Sequence, residues 1–301
     1  MTASFPLSSA PIPRGRFAPS PTGPLHLGSL LTALASYLQA RSRSGSWLVR
    51  MEDIDPERSR PAYADSILRT LERFGLHWDE DVVYQSRRRD LYDAALQGLD
   101  RIGLLYPCCC TRKQLEQGGA FGRYPNLCRE RTDLKSAGNA LRIRTEDREV
   151  RFLDGIQGGQ VKNLLRTSGD FVVRRRDGVH AYHLAVVVDD AAQGINEILR
   201  GADLLDVTAE HLYLQDALGF PHPAYWHVPV LVDSAGRKLS KQNGAAAVET
   251  EQPGRVLFFL LELLGQSPLR ELKDAPPGEL LAWAVPNWRI QAVPRVPAVA
   301  I

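Results

Sequence analysis

The spacing of apolar residues over the first hundred positions alternates between strand-like and helix-like patterns. Between residues 27 and 40 the apolar positions recur every three or four residues, on one helical face: Leu27, Leu30, Leu31, Leu34 and Leu38. Short apolar runs predict three strands, at residues 15–18, 47–51 and 82–84. Two further helices are predicted at residues 61–74 and 90–102. Strands alternating with helices in this way predict a parallel sheet covered on both faces.

The pattern changes after Leu105 and returns near residue 196. Strands are predicted at residues 140–145, 150–153 and 171–175, and Asp177-Gly178 is typical of a hairpin turn. The earlier alternation then resumes with a strand at 196–200, a helix at 207–218 and a strand at 226–232. Beyond Asn243 we predict one helix, at 254–264, and then a proline-punctuated tail with no patterned helix. The stretch 106–190 therefore reads as an inserted, partly antiparallel module.

Composition adds the broad class of protein. The 301 residues are 44% hydrophobic and 24% charged, and the formal net charge is +2, as in an ordinary globular protein. Residues 1–13 lack a basic region and a long apolar core, so no signal peptide is expected, and no apolar run is long enough to span a bilayer. We expect a cytoplasmic protein with reduced cysteines, no membrane contact and, by default, a monomer.

A loop rich in proline and glycine, residues 19–29, leads directly into the first predicted helix. Its glycines allow close backbone approach to a ligand, and the N–H groups at a helix N-terminus favour an anion. His26 lies at this junction and could hydrogen-bond a phosphate oxygen. Taken alone, the loop is equally consistent with a proline/glycine turn that carries an incidental surface histidine.

A second element, Lys238-Leu-Ser-Lys241-Gln, follows a predicted strand and a turn. Together with residues 19–29 it resembles the paired His-x-Gly-x and Lys-Met-Ser-Lys-Ser signatures of the class I aminoacyl-tRNA synthetases. The resemblance implies that an amino-acid carboxylate attacks the α-phosphorus of ATP, a reaction that needs positioning and placed positive charge. Lys241 is then the transition-state cation, supported by Lys238 and His26, and Mg²⁺ is expected on the pyrophosphate. The ATP-binding residues implied are Pro19, Thr22, Gly23, His26, Gly28, Ser29, Lys238, Ser240 and Lys241.

The flanking residues resemble the glutamyl/glutaminyl branch of this class. The matching segments are Arg16-Phe-Ala-Pro-Ser-Pro-Thr-Gly, Arg50-Met-Glu52-Asp53-Ile-Asp55 and the stretch from Tyr182 to Arg200-Gly-Ala-Asp. Arg16 could pair with a glutamate carboxylate, and Glu52 could hold the substrate ammonium. The alternatives are a surface arginine and a solvated acidic turn. The implied glutamate-binding residues are Arg16, Phe17, Ala18, Pro19, Ser20, Glu52, Tyr182 and Arg200.

Only 301 − 242 = 59 residues follow the lysine element, too few for the usual anticodon-binding domain. This architecture is similar to that of the glutamyl-queuosine tRNA(Asp) synthetase family. The resemblance implies that activated L-glutamate is transferred to the queuosine base in the anticodon of the tRNA for aspartate. A minimal glutamyl-tRNA synthetase that charges a 3′ end, and a non-catalytic tRNA-binding paralogue, remain alternatives.

Four cysteines lie close together in the inserted module. In an extended strand Cys108 and Cys110 point the same way and Cys109 points opposite, so the first two could converge on one metal with Cys128. The alternative is reduced cysteines packed as small apolar residues. The family resemblance supplies Tyr124 as the fourth ligand of a single structural Zn²⁺.

The predicted architecture is thus an α/β, Rossmann-type parallel sheet of the class I aminoacyl-tRNA synthetases with an inserted zinc-containing α+β module and no anticodon-binding domain. Its predicted parts are a flexible N-terminus (1–13), the first half of the catalytic domain (14–105), the inserted zinc and acceptor-binding module (106–190), the second half with the lysine element (191–250), and a short helical C-terminal stub and tail (251–301).

Overall fold

The computed structural model describes residues 12–117, 122–239, 248 and 252–301. The first hundred residues form the predicted alternation of strands and helices. The elements are β1 (Arg14–Phe17), α1 (Leu27–Arg41), β2 (Ser46–Met51), α2 (Pro61–Arg73), β3 (Val83–Tyr84) and α3 (Arg89–Arg101). All three strands are parallel, with Arg16 opposite Leu48 and Arg50 opposite Val83. The predicted parallel sheet is therefore confirmed.

Residues 105–192 contain two antiparallel pieces and three helices. The elements are β4 (Leu105–Cys108), α4 (Arg112–Gln117), β5 (Ala140–Ile143), β6 (Glu149–Asp154), β7 (Gly158–Asn163), α5 (Leu164–Thr167), β8 (Val172–Arg174) and α6 (Tyr182–Ala192). Strands β4, β5 and β8 form an antiparallel sheet. The hairpin turn at Gly178 is confirmed: its φ is 86°, and Arg174 pairs with His180 across it. The hairpin β6–β7 is antiparallel, and β6 also pairs with a strand of the second parallel group, described next.

The second parallel group consists of β9 (Glu197–Gly201) and β10 (Ala224–Val228), joined by α7 (Thr208–Leu218). The predicted strand 226–232 is two strands, because Pro229 separates β10 from β11 (Val230–Val232). The N–H of Asn196 donates to the carbonyl of Arg14 at 3.1 Å, so β9 begins beside β1. The strands therefore succeed one another as β3, β2, β1, β9 and β10. In such a sheet a ligand site is expected where the strand order reverses, between β1 and β9.

The C-terminal part differs from the prediction. After α8 (Pro253–Leu263) the chain forms a second helix, α9 (Pro277–Asn287), and a strand, β12 (Ala298–Ala300). No patterned helix was expected in this proline-punctuated tail, and this expectation was wrong. Pro277 occupies the first turn, where its missing N–H has no helical partner to lose. Strand β12 pairs in parallel with β11, with Leu231 opposite Val299.

The main hydrophobic core lies around α1, which is buried on most sides because it packs against the sheet on one side and α8 and α9 on the other. Trp47 of β2 is completely buried beneath it and donates its indole N–H to the Ser36 hydroxyl at 2.9 Å. A fully buried leucine contributes about 1.5–3 kcal/mol relative to an exposed one, so this core holds α1 firmly. Its N-terminus is therefore a fixed feature of the molecule. No helix in the described ranges is long and apolar enough to cross a membrane.

Candidate active site

A cleft of about 410 Å³ opens at the carboxyl ends of β1 and β9 and the N-terminus of α1. It brings together residues from six separate parts of the chain. Of the residues predicted to bind glutamate or ATP, those in its wall are Arg16, Phe17, Ala18, Pro19, Ser20, Thr22, His26, Gly28, Ser29, Glu52, Tyr182, Arg200 and Lys238. Gly23 is buried within the same loop and is not part of the wall. Ser240 and Lys241 lie outside the described residues.

The loop 19–29 ends at His26, which is the N-cap of α1. The His26 side chain accepts a hydrogen bond from the Ser29 backbone N–H at 3.3 Å, and its other ring nitrogen is 3.0 Å from the Ser29 hydroxyl. A Cβ at Gly28 would lie 3.3 Å from two atoms of this ring, so glycine lets the imidazole fold over the first turn. The helix start therefore faces the cleft, and its N–H groups and dipole are suited to an anion.

The lysine element begins as a hairpin. After β11 the turn at Asp233 reverses the chain, and the Leu239 N–H donates to the Leu231 carbonyl at 2.8 Å. Lys238 is half exposed, and its ammonium nitrogen lies 2.6 Å from a carboxylate oxygen of Asp203, which also lines the cleft. The hairpin thus fixes the start of the lysine element against the cleft wall.

Arg16 lies at the base of the cleft in a buried ion-pair network. Its Nε and Nη2 donate to the two oxygens of Asp190 at 3.0 and 3.4 Å. Arg50, which has no solvent exposure, donates to Asp190 at 2.8 Å and to Gln193 at 2.8 Å. Burial raises the pKa of Asp190, but the charges of Arg16 and Arg50 outweigh it and hold that pKa below its usual value. Asp190 is therefore charged and neutralises much of the Arg16 charge.

Glu52 follows β2 and sits above this network. Its carboxylate lies 3.8 Å from Arg50, and its backbone N–H donates to the Pro19 carbonyl at 2.9 Å. Burial raises the pKa of Glu52 to about 7, with the positive charges of Arg50 and Arg16 limiting the rise. A carboxylate poised in this way gains charge when a cation binds beside it.

Arg200 at the end of β9 has a different environment from Arg16. Its guanidinium is buried and donates to the rings of His227 and His211, to the Thr208 hydroxyl and to the Leu204 carbonyl. Among the described residues no carboxylate lies within 4.0 Å of it. A buried cation without a direct counter-charge favours an anionic ligand.

Tyr182 begins α6 on the same side of the cleft as Arg200. Its ring centroid lies 5.6 Å from that of His211, and burial raises the pKa of its phenol to about 12. Its hydroxyl stays protonated at neutral pH and makes no hydrogen bond within the part of the chain that the structure describes. It is thus available as a donor to a ligand.

The cysteine cluster lies away from the cleft, where β4 ends. The Sγ atoms of Cys108, Cys110 and Cys128 all lie within 4.8 Å of one another, and those of Cys110 and Cys128 are 3.6 Å apart. The Tyr124 hydroxyl is 3.3 Å from Cys108 Sγ and 3.8 Å from Cys110 Sγ. A tetrahedral zinc with bonds of about 2.3 Å separates its sulfur ligands by roughly 3.8 Å. The four side chains fit that geometry.

Cys109 was expected to point away from this cluster, yet its Sγ is 3.9 Å from that of Cys128. Strand β4 ends at Cys108, so the alternation of a strand does not continue through Cys109. Burial would raise the pKa of Cys128, but hydrogen bonds from the Cys109 backbone and the Tyr124 hydroxyl lower it to about 7. A thiolate is readily formed there, as metal binding requires.

Several residues that build the site were not identified from the sequence. Asp190 and its neighbour Asp189 were noted only as part of a matching segment, and His211 and His227 were not considered. The available signal for the first pair was two adjacent acidic residues at the end of the apolar run 184–188. The two histidines accept hydrogen bonds from Arg200 but lie on other elements, so no local sequence pattern links them to it.

Comparison with known proteins agrees with this geometry. The sequence model of the family described as tRNA synthetases class I (E and Q), catalytic domain, matches residues 14–266. Proteins named Glutamyl-Q tRNA(Asp) synthetase from Methylococcus capsulatus and Thiobacillus denitrificans are 51% and 50% identical to this chain. Each match covers 95% of the chain, and 94% and 96% of those relatives respectively.

Among solved structures, a glutamate tRNA ligase from Elizabethkingia meningosepticum in complex with its amino acid superposes with a TM-score of 0.80 at 26% identity. The superposition covers 96% of this chain and 67% of that one. The parallel sheet, the cleft at its carboxyl edge and the high identity along nearly the whole sequence all agree. The chain therefore belongs to the class I tRNA synthetases (E and Q), in the glutamyl-Q tRNA(Asp) synthetase family.

Proposed function

We propose that this chain is a ligase that activates L-glutamate with ATP and transfers the glutamyl group to the queuosine base in the anticodon of the tRNA for aspartate. One observation carries the activation step. A single cleft holds a helix N-terminus suited to phosphate and, opposite it, the uncompensated cation Arg200 together with the carboxylate of Glu52. The name shared by relatives at about 50% identity supports the acceptor.

In this proposal glutamate binds at the Arg200 end of the cleft. Arg200 receives the side-chain carboxylate because its charge is not cancelled by a direct acidic contact. Glu52 receives the ammonium, and Tyr182 donates its hydroxyl to the substrate. Arg16, already paired with Asp190, shapes the base of the cleft. The residues proposed to bind glutamate are Arg16, Phe17, Ala18, Pro19, Ser20, Glu52, Tyr182 and Arg200.

ATP binds along the loop 19–29 and the lysine element. Its Mg²⁺, bound with the substrate, would neutralise charge on the pyrophosphate. His26 and the N-terminus of α1 hold phosphate oxygens, and Lys238 and Lys241 stabilise the charge that develops as pyrophosphate leaves. The residues proposed to bind ATP are Pro19, Thr22, Gly23, His26, Gly28, Ser29, Lys238, Ser240 and Lys241.

The first reaction is a displacement at phosphorus. An α-carboxylate oxygen of glutamate forms a bond to the α-phosphorus of ATP, the bond to the bridging oxygen breaks, and pyrophosphate departs, which leaves glutamyl-adenylate. In the second step a nucleophile of the queuosine base attacks the activated carbonyl and AMP departs. Neither step needs a strong protein acid or base, which agrees with a cleft built mainly from positioning contacts.

A structural Zn²⁺ held by Cys108, Cys110, Cys128 and Tyr124 belongs to the same proposal. The three thiols and the phenol are the donor set and spacing that such an ion needs. It would crosslink the loop after β4 to residues 124–128 and so order the module that faces the tRNA.

The decisive experiment measures glutamylation of three tRNAs with radiolabelled glutamate: the tRNA for aspartate with queuosine, the same tRNA without it, and the tRNA for glutamate. Labelling of the first alone supports the proposal. Labelling of the tRNA for glutamate at its 3′ end would instead identify a minimal glutamyl-tRNA synthetase. Absence of glutamate-dependent ATP–pyrophosphate exchange would identify a non-catalytic tRNA-binding protein.

A further inference from the structure

The buried Arg200 is held by an unusual set of acceptors. Its Nε donates to His227 Nε2 at 3.0 Å, and its Nη1 lies 3.1 Å from His211 Nδ1. Its Nη2 donates to the Thr208 hydroxyl at 3.0 Å and the Leu204 carbonyl at 3.2 Å. A guanidinium has five N–H groups, so these contacts leave one, on Nη1, for a ligand in the cleft.

These contacts fix the protonation of both histidines. Because a guanidinium only donates, the ring nitrogens that face Arg200 must be unprotonated acceptors. The proton of His227 then sits on Nδ1, which is 2.6 Å from Asp154, and the proton of His211 sits on Nε2, which faces His183 Nδ1 at 3.3 Å. Burial lowers the pKa of both rings, so both are neutral.

The neighbouring buried arginines, unlike Arg200, have a direct carboxylate partner. Arg16 and Arg50 contact the carboxylate of Asp190 directly. The acidic group behind Arg200, Asp154, is separated from it by the whole imidazole of His227. Asp154 also accepts the backbone N–H groups of Ile156 and Gln157 at 3.0 and 2.8 Å, so its own charge is already stabilised locally. Arg200 is therefore rigidly oriented but not neutralised.

We propose that His211 and His227 are positioning residues that hold Arg200 in place while leaving its charge free, and that they thereby set the preference for glutamate over its neutral isostere glutamine. The inference rests on the proposed function, since it assigns the determinants of substrate choice within the same cleft. A carboxylate at either position would orient Arg200 equally well but would remove the advantage of an anionic ligand. Neutral acceptors provide orientation without that loss.

The test compares two substitutions that differ only in charge, His211→Asp and His211→Asn. Asparagine supplies a neutral oxygen near the position of Nδ1, whereas aspartate supplies a charged one. Steady-state ATP–pyrophosphate exchange is measured with glutamate and with glutamine. We expect H211D to raise KM for glutamate by about 10–100-fold, the range of one charge-assisted hydrogen bond, with a smaller change in kcat. We also expect its kcat/KM preference for glutamate over glutamine to fall by a similar factor, while H211N retains most of that preference.

Equal loss of preference in H211D and H211N, with both proteins folded by circular dichroism, would overturn the inference. If H211D does not fold, the test uses His211→Ala instead. Deleting the acceptor in H211A should raise KM for glutamate, and KM in H211N should stay close to that of the unmodified protein. A wild-type KM in H211A contradicts a positioning role. Failure of the unmodified protein to support any glutamate-dependent exchange is a separate outcome, which refutes the proposed function itself.

Discussion

Replacing Asp190 by asparagine tests whether the buried network beneath the cleft is held together by charge. The substitution keeps the size of the side chain and removes one negative charge that contacts two buried cations, Arg16 and Arg50. The contacts are 3.0 and 3.4 Å to Arg16 and 2.8 Å to Arg50, and Asp190 is only 2% exposed. After the change the acidic groups that remain within 4.0 Å of Arg50, among the described residues, are Glu52 and Asp189, each at 3.8 Å.

Removing one partner from a buried ion pair costs about 3–5 kcal/mol, because an uncompensated charge stays buried. With an unfolding entropy of about 2.1 cal/mol/K per residue, a chain of 301 residues loses roughly 1.6 °C in Tm for each kcal/mol, so D190N should melt about 5–8 °C below the unmodified protein. Thermal unfolding at pH 7, followed by circular dichroism, measures this. The pKa of Asp190 is lower in the folded protein than in the unfolded chain. Its contribution to the free energy of unfolding is therefore fully present above the unfolded-state pKa and is lost as the pH falls through the folded-state pKa. The difference between the two proteins should therefore shrink in strong acid.

The matched control is Asp133→Asn, which removes a carboxylate from an exposed ion pair with Arg131, the two side chains being 65% and 44% exposed. Exposed ion pairs contribute little to the free energy of unfolding, so D133N should have the same Tm as the unmodified protein. If D190N and D133N lower Tm equally, the buried network is not stabilised by the charge of Asp190, and the reasoning from burial fails.

Three further predictions concern the cleft and the cysteine cluster. Because burial raises the pKa of Glu52 to about 7, its charged form is lost as the pH falls, and KM for glutamate should rise below about pH 7. A Glu52→Gln variant should have a higher KM for glutamate that no longer varies with pH in this range. A methyl group at Gly28 would lie 3.3 Å from the His26 ring, so G28A should raise KM for ATP several-fold in exchange assays. The control is G278A, whose Cβ meets nothing within 4 Å and which should leave KM for ATP unchanged. Equal KM values in the two variants would refute this role of the loop. Protein purified without chelator should contain one zinc by metal analysis, and Cys128→Ser should lose it and unfold at a lower temperature; a zinc content of zero in the unmodified protein would contradict the assignment.

Local patterns were sufficient for the framework of the fold. The leucine spacing predicted residues 27–40 as a helix, and α1 spans Leu27–Arg41. The same approach missed α9, because the segment after residue 264 was interpreted as a proline-punctuated tail without a patterned helix. In the fold Pro277 starts the helix, and Leu280 and Leu281 pack it into the core of α1. Tertiary burial, which local sequence does not display, determined this element.

The site was predictable where chemistry follows a short motif and unpredictable where it depends on distant contacts. The cleft wall contains thirteen of the residues implied by the two motifs and their flanks, as described above. The partners that tune them lie far away in sequence: Arg50 meets Asp190 across 140 positions, and Arg200 meets His227 across 27. A single sequence gives no sign of such pairings, so only the fold shows which arginine has a carboxylate partner and which does not.

The parallel pairing of β11 with β12 has a consequence for how the protein is made. The hairpin that carries Lys238 is built on β11, whose neighbour β12 comes much later in the chain. At about 5–20 residues per second, the roughly 65 residues between the two strands take on the order of 3–13 s to synthesise. During that interval a growing chain already contains the N-terminus of α1, which we propose binds phosphate, but not strand β12, which pairs with β11 beside the lysine hairpin. The two parts of the proposed nucleotide site are thus completed at different times on the ribosome.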